Sequence, residues 1–328
     1  MESRNKPFVI ALEEHYWDPD LVATFPGREG KRISEVERRL LDLGELRLRE
    51  MDEAGVDVQV LSHGAPGTQK MDPDSSVRMT RQTNDRLHAF VQTNPDRFAA
   101  LGLLPTPAPG PAADELERIV TRLGFKGAMI HGLTNGKFID HEIFWPIFER
   151  AEALGVPVYV HPAFPSPAVA KEYYADYAAK YPEILGPALG FTVEAATQAI
   201  RLVLSGVFKK HSGLKIILGH LGEGIPFLLW RIDQSLSRPG NEAMSFREIF
   251  RKHFYLTTSG NFSDTALACS IAEMGVDRIL FSVDWPFIAN SIGTEWLAKT
   301  TLADADKRKI FGGNAAKLLG LAAPQGHA

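Results

Sequence analysis

The chain reads as an α/β protein: a (β/α)8 barrel with extended loops after its first and fifth strands. Three observations point there. Eight short apolar runs recur along the sequence, most of them continuous rather than alternating, as expected of strands buried on both faces of a parallel sheet. Amphipathic helical patterns lie between them. The phrases EAGVD, RLGFKG, EALGVP and EMGVDR repeat one local event, in which a helix ends at a glycine and a buried strand begins two or three residues later. A doubly wound open sheet is the alternative architecture, but no GxGxxG fingerprint follows the first strand.

The expected strands are Phe8–Leu12, Val56–Leu61, Phe98–Leu104, Gly127–Ile130, Val156–Val160, Leu214–Leu218, Phe254–Thr258 and Arg278–Val283. Helical spacing covers Arg38–Ala54, Ser75–Asn94, Ala112–Leu123, Glu142–Leu154, Glu194–Lys210, Ile225–Ser237 and Asp264–Met274, with one or two short helices in Asp304–Leu319. Two segments exceed a minimal barrel: Trp17–Lys31 and Pro162–Gly190. Both leave the C-terminal ends of strands, so they read as pocket walls or lids. With 328 residues and no linker or low-complexity tract, one domain spanning residues 1–328 is expected.

Composition narrows the function. The chain is 45% hydrophobic and 23% charged, with a net charge of −4 and no basic run, which argues against a nucleic-acid or anionic-membrane partner. No stretch nears the roughly 18 apolar residues of a membrane span. The N-terminal MESRNKPFVIALEEH has too short an apolar run for a signal peptide, so a cytoplasmic enzyme is expected. The single cysteine, Cys269, permits no intramolecular disulfide and reads as a small helix residue rather than a nucleophile.

Chemistry concentrates where strands end. Glu13 and His15 (ALEEHY), His161 (VPVYVHP), His220 (KIILGHLGE) and Asp284 (FSVDWPF) each follow an apolar run, and a barrel brings those ends onto one rim. Glu13 and His15 are two residues apart and point to one side of an extended chain. His161 adds an imidazole from across the barrel, and Asp284 closes the site from the last strand. Three or four such ligands suit one divalent ion, zinc or manganese, and leave room for water or substrate. His88, His141, His211, His253 and His327 lie on helices, before strands or at the tail and read as structural or surface residues.

These motifs, together with LRLREMDEAGVDVQVLS, NPDRF, GFTVEAATQAIRLVLSGVF and GHLGEGIPFLLWRID in the same order, resemble the amidohydrolase superfamily. The closer similarity is to its branch of metal-dependent aromatic-acid decarboxylases, acting on γ-resorcylate, dihydroxybenzoate, 5-carboxyvanillate or aminocarboxymuconate semialdehyde. The resemblance implies Glu13, His15, His161 and Asp284 as metal ligands. It implies His220 as catalytic acid or base oriented by Glu223, and Arg231 facing the substrate carboxylate with Arg47 as a second candidate. It also implies a homodimer or homotetramer. The chain departs from the pattern at strand four, where KGAMIHG carries His131 in place of the lysine expected of two-metal members, so one metal is expected. Pocket ends LSHGAPG and VHPAFPSP put His63 and Phe164 among the substrate contacts, although a buried structural His63 reads equally well.

The activity so implied is non-oxidative decarboxylation of an ortho-hydroxylated aromatic acid. Asp284 would protonate the ring carbon, while His220 and Glu223 handle the hydroxyl proton. A metal-bound carboxylate is a poor acid in water, so a dry pocket is needed. Tyr16, Trp17, Phe25, Phe164 and Trp285 could line one. The alternative is hydrolysis of a lactone or amide on the same barrel, with His220 or Asp284 activating water. A barrel that only binds would be expected to have lost ligands, and none is missing.

Overall fold

The computed structural model describes residues 6–25 and 33–322. Eight parallel strands are present: β1 (Ile10–Tyr16), β2 (Val58–His63), β3 (Phe98–Ala100), β4 (Ala128–His131), β5 (Val158–His161), β6 (Ile216–Leu218), β7 (Phe254–Thr257) and β8 (Ile279–Leu280). Each overlaps an expected run. They form ladders β1-β2-β3 and β4-β5-β6-β7-β8. Single bridges, Gly102 to Ala128 and Leu12 to Ser282, join the two ladders at both ends into a closed barrel.

Two apolar layers explain the continuous runs. Ile10, Leu12, Val60, Met129, Tyr159, Ile217 and Leu280 pack together inside the barrel, with Leu318 and Leu319 joining them. Val9, Ala11, Leu61, Ile130, Val158, Val160, Ile216 and Leu218 pack outward against helix residues such as Leu116, Phe148 and Leu202. Both faces of each strand are therefore dry, and no polar alternation survives. The four repeated phrases end their helices at Gly55, Gly124, Gly155 and Gly275, all with φ between 69° and 82°.

The helices differ from expectation where side chains compete with the helical ladder. Arg38–Ala54 is two helices, Ser34–Leu41 and Glu45–Ala54. Between them the Asp42 carboxylate accepts the Gly44 N–H at 2.9 Å and turns the chain. Glu194–Lys210 divides into Gly190–Leu204 and Val207–Lys210 at Gly206. Phe246–His253 and Asn290–Lys299 are additional helices that the sequence pattern did not mark. The segment after β1 holds the helix Pro19–Val22, while positions 26–31 of the expected loop lie outside the described residues. The segment after β5 folds into short helical turns, among them Pro167–Val169, Ala175–Ala178 and Pro182–Leu185. No described helix is long and apolar enough to cross a membrane.

The β3–β4 junction is closely packed. Gly127 has φ +145° and its carbonyl accepts the Gly102 N–H, while a Cβ placed on it would stand 2.3 Å from the Pro157 carbonyl oxygen. Gly127→Ala is expected to cost about 1–3 kcal/mol of stability. A thermal midpoint equal to that of the parent chain would refute this reading of the junction.

Candidate metal centre

β1 carries a bulge. Its register with β2 shifts between Leu12 and Glu14, leaving Glu13 unpaired with φ +61°. Simple strand alternation is thus supplemented by an extra residue, and Glu13 and His15 both reach the site. His161, at the end of β5, joins them: one ligand atom from each of the three lies within 4.8 Å of the others, and all three residues are buried. His161 Nε2 stands 3.3 Å from Glu13 Oε1. His161 Nδ1 donates to the Pro162 carbonyl at 2.6 Å, which leaves Nε2 with its lone pair facing Glu13. Glu13 Oε1 and His15 Nε2 are buried and make no hydrogen bond. A buried carboxylate oxygen and imidazole nitrogen aimed at one point are what a divalent ion would satisfy, so the donor set fits one. Burial, with His15 next, pushes His161 well below the ordinary histidine pKa and keeps it a neutral ligand.

Asp284 and His220 face the same space. Asp284 Oδ1 is 3.4 Å from His15 Nε2, although Asp284 does not fall within the tighter three-residue group. Gly260 leaves room beside it: a Cβ there would touch Asp284 Oδ2 and His220 Cδ2. His220 Nδ1 donates to Glu223 Oε1 at 2.6 Å. Burial disfavours the imidazolium, but Glu223 and Glu13 outweigh it and raise His220 to about 10. Six non-glycine described residues have positive φ, and five of them are Glu13, His220, Leu221, Glu223 and Asp284. Strained backbone therefore gathers at the candidate site, at about 1–3 kcal/mol each.

A cavity of about 560 Å³ opens onto this cluster, lined by His15, His161, His220 and Asp284. Its walls are Ile33, Val36, Ala65, Pro66, Ala163, Phe164, Pro187, Phe191 and Phe287, with Glu183 at the rim. Phe164 lines it as expected, its ring edge-on to Phe191 at 5.2 Å. Four expected substrate contacts fall elsewhere among the described residues. Arg47 is fully buried, with its guanidinium bound to the His15 carbonyl at 2.6 Å and to Gln59 at 3.1 Å and stacked 3.9 Å over Trp285, so it braces the barrel instead. Burial lowers Arg47 to about 9. His63 is satisfied on both nitrogens, accepting the Asp18 N–H and donating to the Gly64 carbonyl, and burial lowers it to about 4. It is a structural histidine. Phe25 packs against His63 rather than the cavity. Arg231 is exposed on the helix Ile225–Leu236, away from the cavity of its own chain.

Residues 14–321 match the family model described as amidohydrolase. The chain belongs to the amidohydrolase family. A γ-resorcylate decarboxylase from Polaromonas sp. is 40% identical over 325 residues, 95% of this chain and 98% of that protein. Among solved structures, a Polaromonas sp. dihydroxybenzoic acid decarboxylase with bound manganese and the inhibitor 2-nitroresorcinol superposes with a TM-score of 0.88 at 39% identity, covering 98% of this chain and 99% of the other. A 2,6-dihydroxybenzoate decarboxylase complexed with 2,6-dihydroxybenzoate gives 0.87 at 37% identity, covering 96% and 100%.

Around the site of this amidohydrolase, Glu14 and Glu194 had no local signal, and His131 stood out only as a strand-end histidine. Glu14 turns away from the candidate ligands: its carboxylate accepts the N–H groups of Val283 and Trp285 at 2.9 and 3.0 Å. Burial raises it to about 8, against those two N–H groups. His131 donates Nε2–H to the His63 carbonyl at 2.9 Å, and burial lowers it to about 3. Glu194 lies behind pocket-lining Ala163, held by the Gln198 amide at 2.9 Å. Burial, against that amide, raises Glu194 to about 7.

Two outcomes follow from these placements. Arg47→Met should lower stability by about 2–5 kcal/mol in protein free of metal and substrate. An effect confined to KM would return Arg47 to the substrate. Glu194 binds its proton more tightly folded than unfolded, so its penalty grows as pH rises from about 4.5 and is complete above about 7. Glu194→Gln should therefore raise the melting point at pH 8, by on the order of 2 kcal/mol of stability, and leave it nearly unchanged at pH 4.5. The opposite pH order would contradict a protonated Glu194.

Proposed function

We propose that this amidohydrolase is a metal-dependent, non-oxidative decarboxylase of an ortho-hydroxylated aromatic carboxylic acid. The observation carrying this reading is the group Glu13, His15 and His161 beside Asp284 and the His220–Glu223 pair, at the floor of an apolar cavity. Near-full-length similarity to decarboxylases supports it.

In this reading Glu13, His15, His161 and Asp284 hold one divalent ion, manganese or zinc. Bound there, the ion supplies Lewis acidity toward the phenol and carboxylate oxygens, and positive charge that His220 otherwise provides. His220 accepts the hydroxyl proton at Nε2, with Glu223 fixing its ring through Nδ1. Asp284, having taken up a proton from solvent before each turnover, delivers it to the carboxyl-bearing carbon, and the proton held by His220 returns to the ring oxygen at the end. The bond to the carboxylate then breaks, its electron pair restores the ring, and carbon dioxide departs. Phe164, Phe191 and Phe287 exclude water around the ring. A homodimer or homotetramer of a single-domain chain belongs to the same reading: Phe227 and Trp230 are 83% and 63% exposed beside Arg231.

Metal content and carbon-dioxide release test this directly, on 2,6-dihydroxybenzoate, 2,3-dihydroxybenzoate, salicylate and 5-carboxyvanillate. One metal per chain and release lowered about 10²–10⁴-fold by Asp284→Asn are expected. No release from any acid, with turnover of a lactone or amide, would assign the site to hydrolysis.

A further inference from the structure

We infer that Tyr159, Thr257 and Ser259 form a hydroxyl clamp on Glu13 Oε2, which fixes the carboxylate so that Oε1 alone is presented to the ion. The inference rests on the metal-site reading above and concerns positioning residues, not catalytic ones.

Tyr159 is an inward-facing core residue of β5, between outward-facing Val158 and Val160. Its hydroxyl donates to Glu13 Oε2, and so does that of Ser259. Thr257 Oγ1 lies 3.4 Å from the same oxygen and 2.9 Å from both the Tyr159 and Ser259 hydroxyls. All three residues and Glu13 are fully buried. A phenol placed in an otherwise apolar barrel interior needs a partner, and here that partner is a ligand's second oxygen.

The two carboxylate oxygens are treated oppositely. Oε2 collects hydroxyl donors, whereas Oε1 has no hydrogen bond and faces His161. This asymmetry selects one-oxygen coordination and holds the unused oxygen away from the ion. β7 otherwise brings no titratable group to the rim, and its Thr257-Thr258-Ser259 end is its contribution to the site. Gly219 gives a second, independent indication. A Cβ there would stand 3.1 Å from the Tyr159 hydroxyl and 3.2 Å from Glu13 Oε2, so the residue preceding His220 is kept small where the clamp needs room.

The test measures manganese binding to chelator-stripped protein, through the electron paramagnetic resonance of free Mn²⁺, without any substrate. Tyr159→Phe preserves the ring and should raise the manganese dissociation constant about ten- to hundredfold, with unchanged circular dichroism of the metal-free protein. Ser259→Ala removes a second donor from the same oxygen and carries the same expectation should Tyr159→Phe fail to fold. A folded variant that binds manganese as the parent chain does overturns the clamp and leaves the metal site standing. A parent chain that binds no manganese overturns both.

Discussion

The carboxylate of Glu14 is the constraint on which the centre depends. The first and last strands share one bridge, Leu12 to Ser282, and there is no continuous ladder between them. Beyond that bridge Glu14 substitutes for strand pairing by accepting two successive-but-one N–H groups, from Val283 and Trp285. The His15 N–H completes the seam by donating to the Trp285 carbonyl at 2.7 Å. Arg47 lies beneath, bonded to the His15 carbonyl and stacked on Trp285. Asp284 sits between the two residues that Glu14 anchors. The register that faces Asp284 to His15 is therefore set by the Glu14 side chain together with the few main-chain bonds of the seam.

That arrangement works against real opposition. Glu13, His220, Glu223 and Asp284 all adopt left-handed backbone that L-residues disfavour. Burial also opposes ionisation of Glu13 and Glu14, as their raised pKa values indicate. A bare chain would relax both kinds of strain by turning these groups to water. The two apolar layers of the barrel prevent this, since the strands that carry the residues are packed on both faces.

Most of the architecture was legible in the sequence because its signals are local. An apolar run, a helix-ending glycine and a strand-end histidine can each be read within a few residues, and all eight strands overlap their expected runs. The centre's ligand candidates were legible for the same reason. What escaped depends on distance along the chain. Glu14 reads as a neighbour of Glu13, yet its partners are about 270 residues away. Tyr159 reads as core aromatic, and only the closed barrel sets it against Glu13. Arg47 and Arg231 carry the same charge on similar helical patterns, but one is buried under the seam and the other is exposed. The Asp42 turn that splits Arg38–Ala54 was hidden because helical spacing continues across it.

The segment after β5 has a different standing from the strand ends. Phe164, Pro187 and Phe191 come from it or its immediate end and shape the cavity, yet none of the bonds to Glu13, Glu14 or His220 originates there. Heritable change can therefore fall on that segment past Pro162, whose carbonyl holds His161, without removing a bond to these groups. New aromatic acids could be accommodated by exchanging one surface module while the ancestral chemistry passes on intact. Laboratory evolution aimed at substrate range would find its most permissive ground in residues 163–191, beyond the Pro162 carbonyl that holds His161.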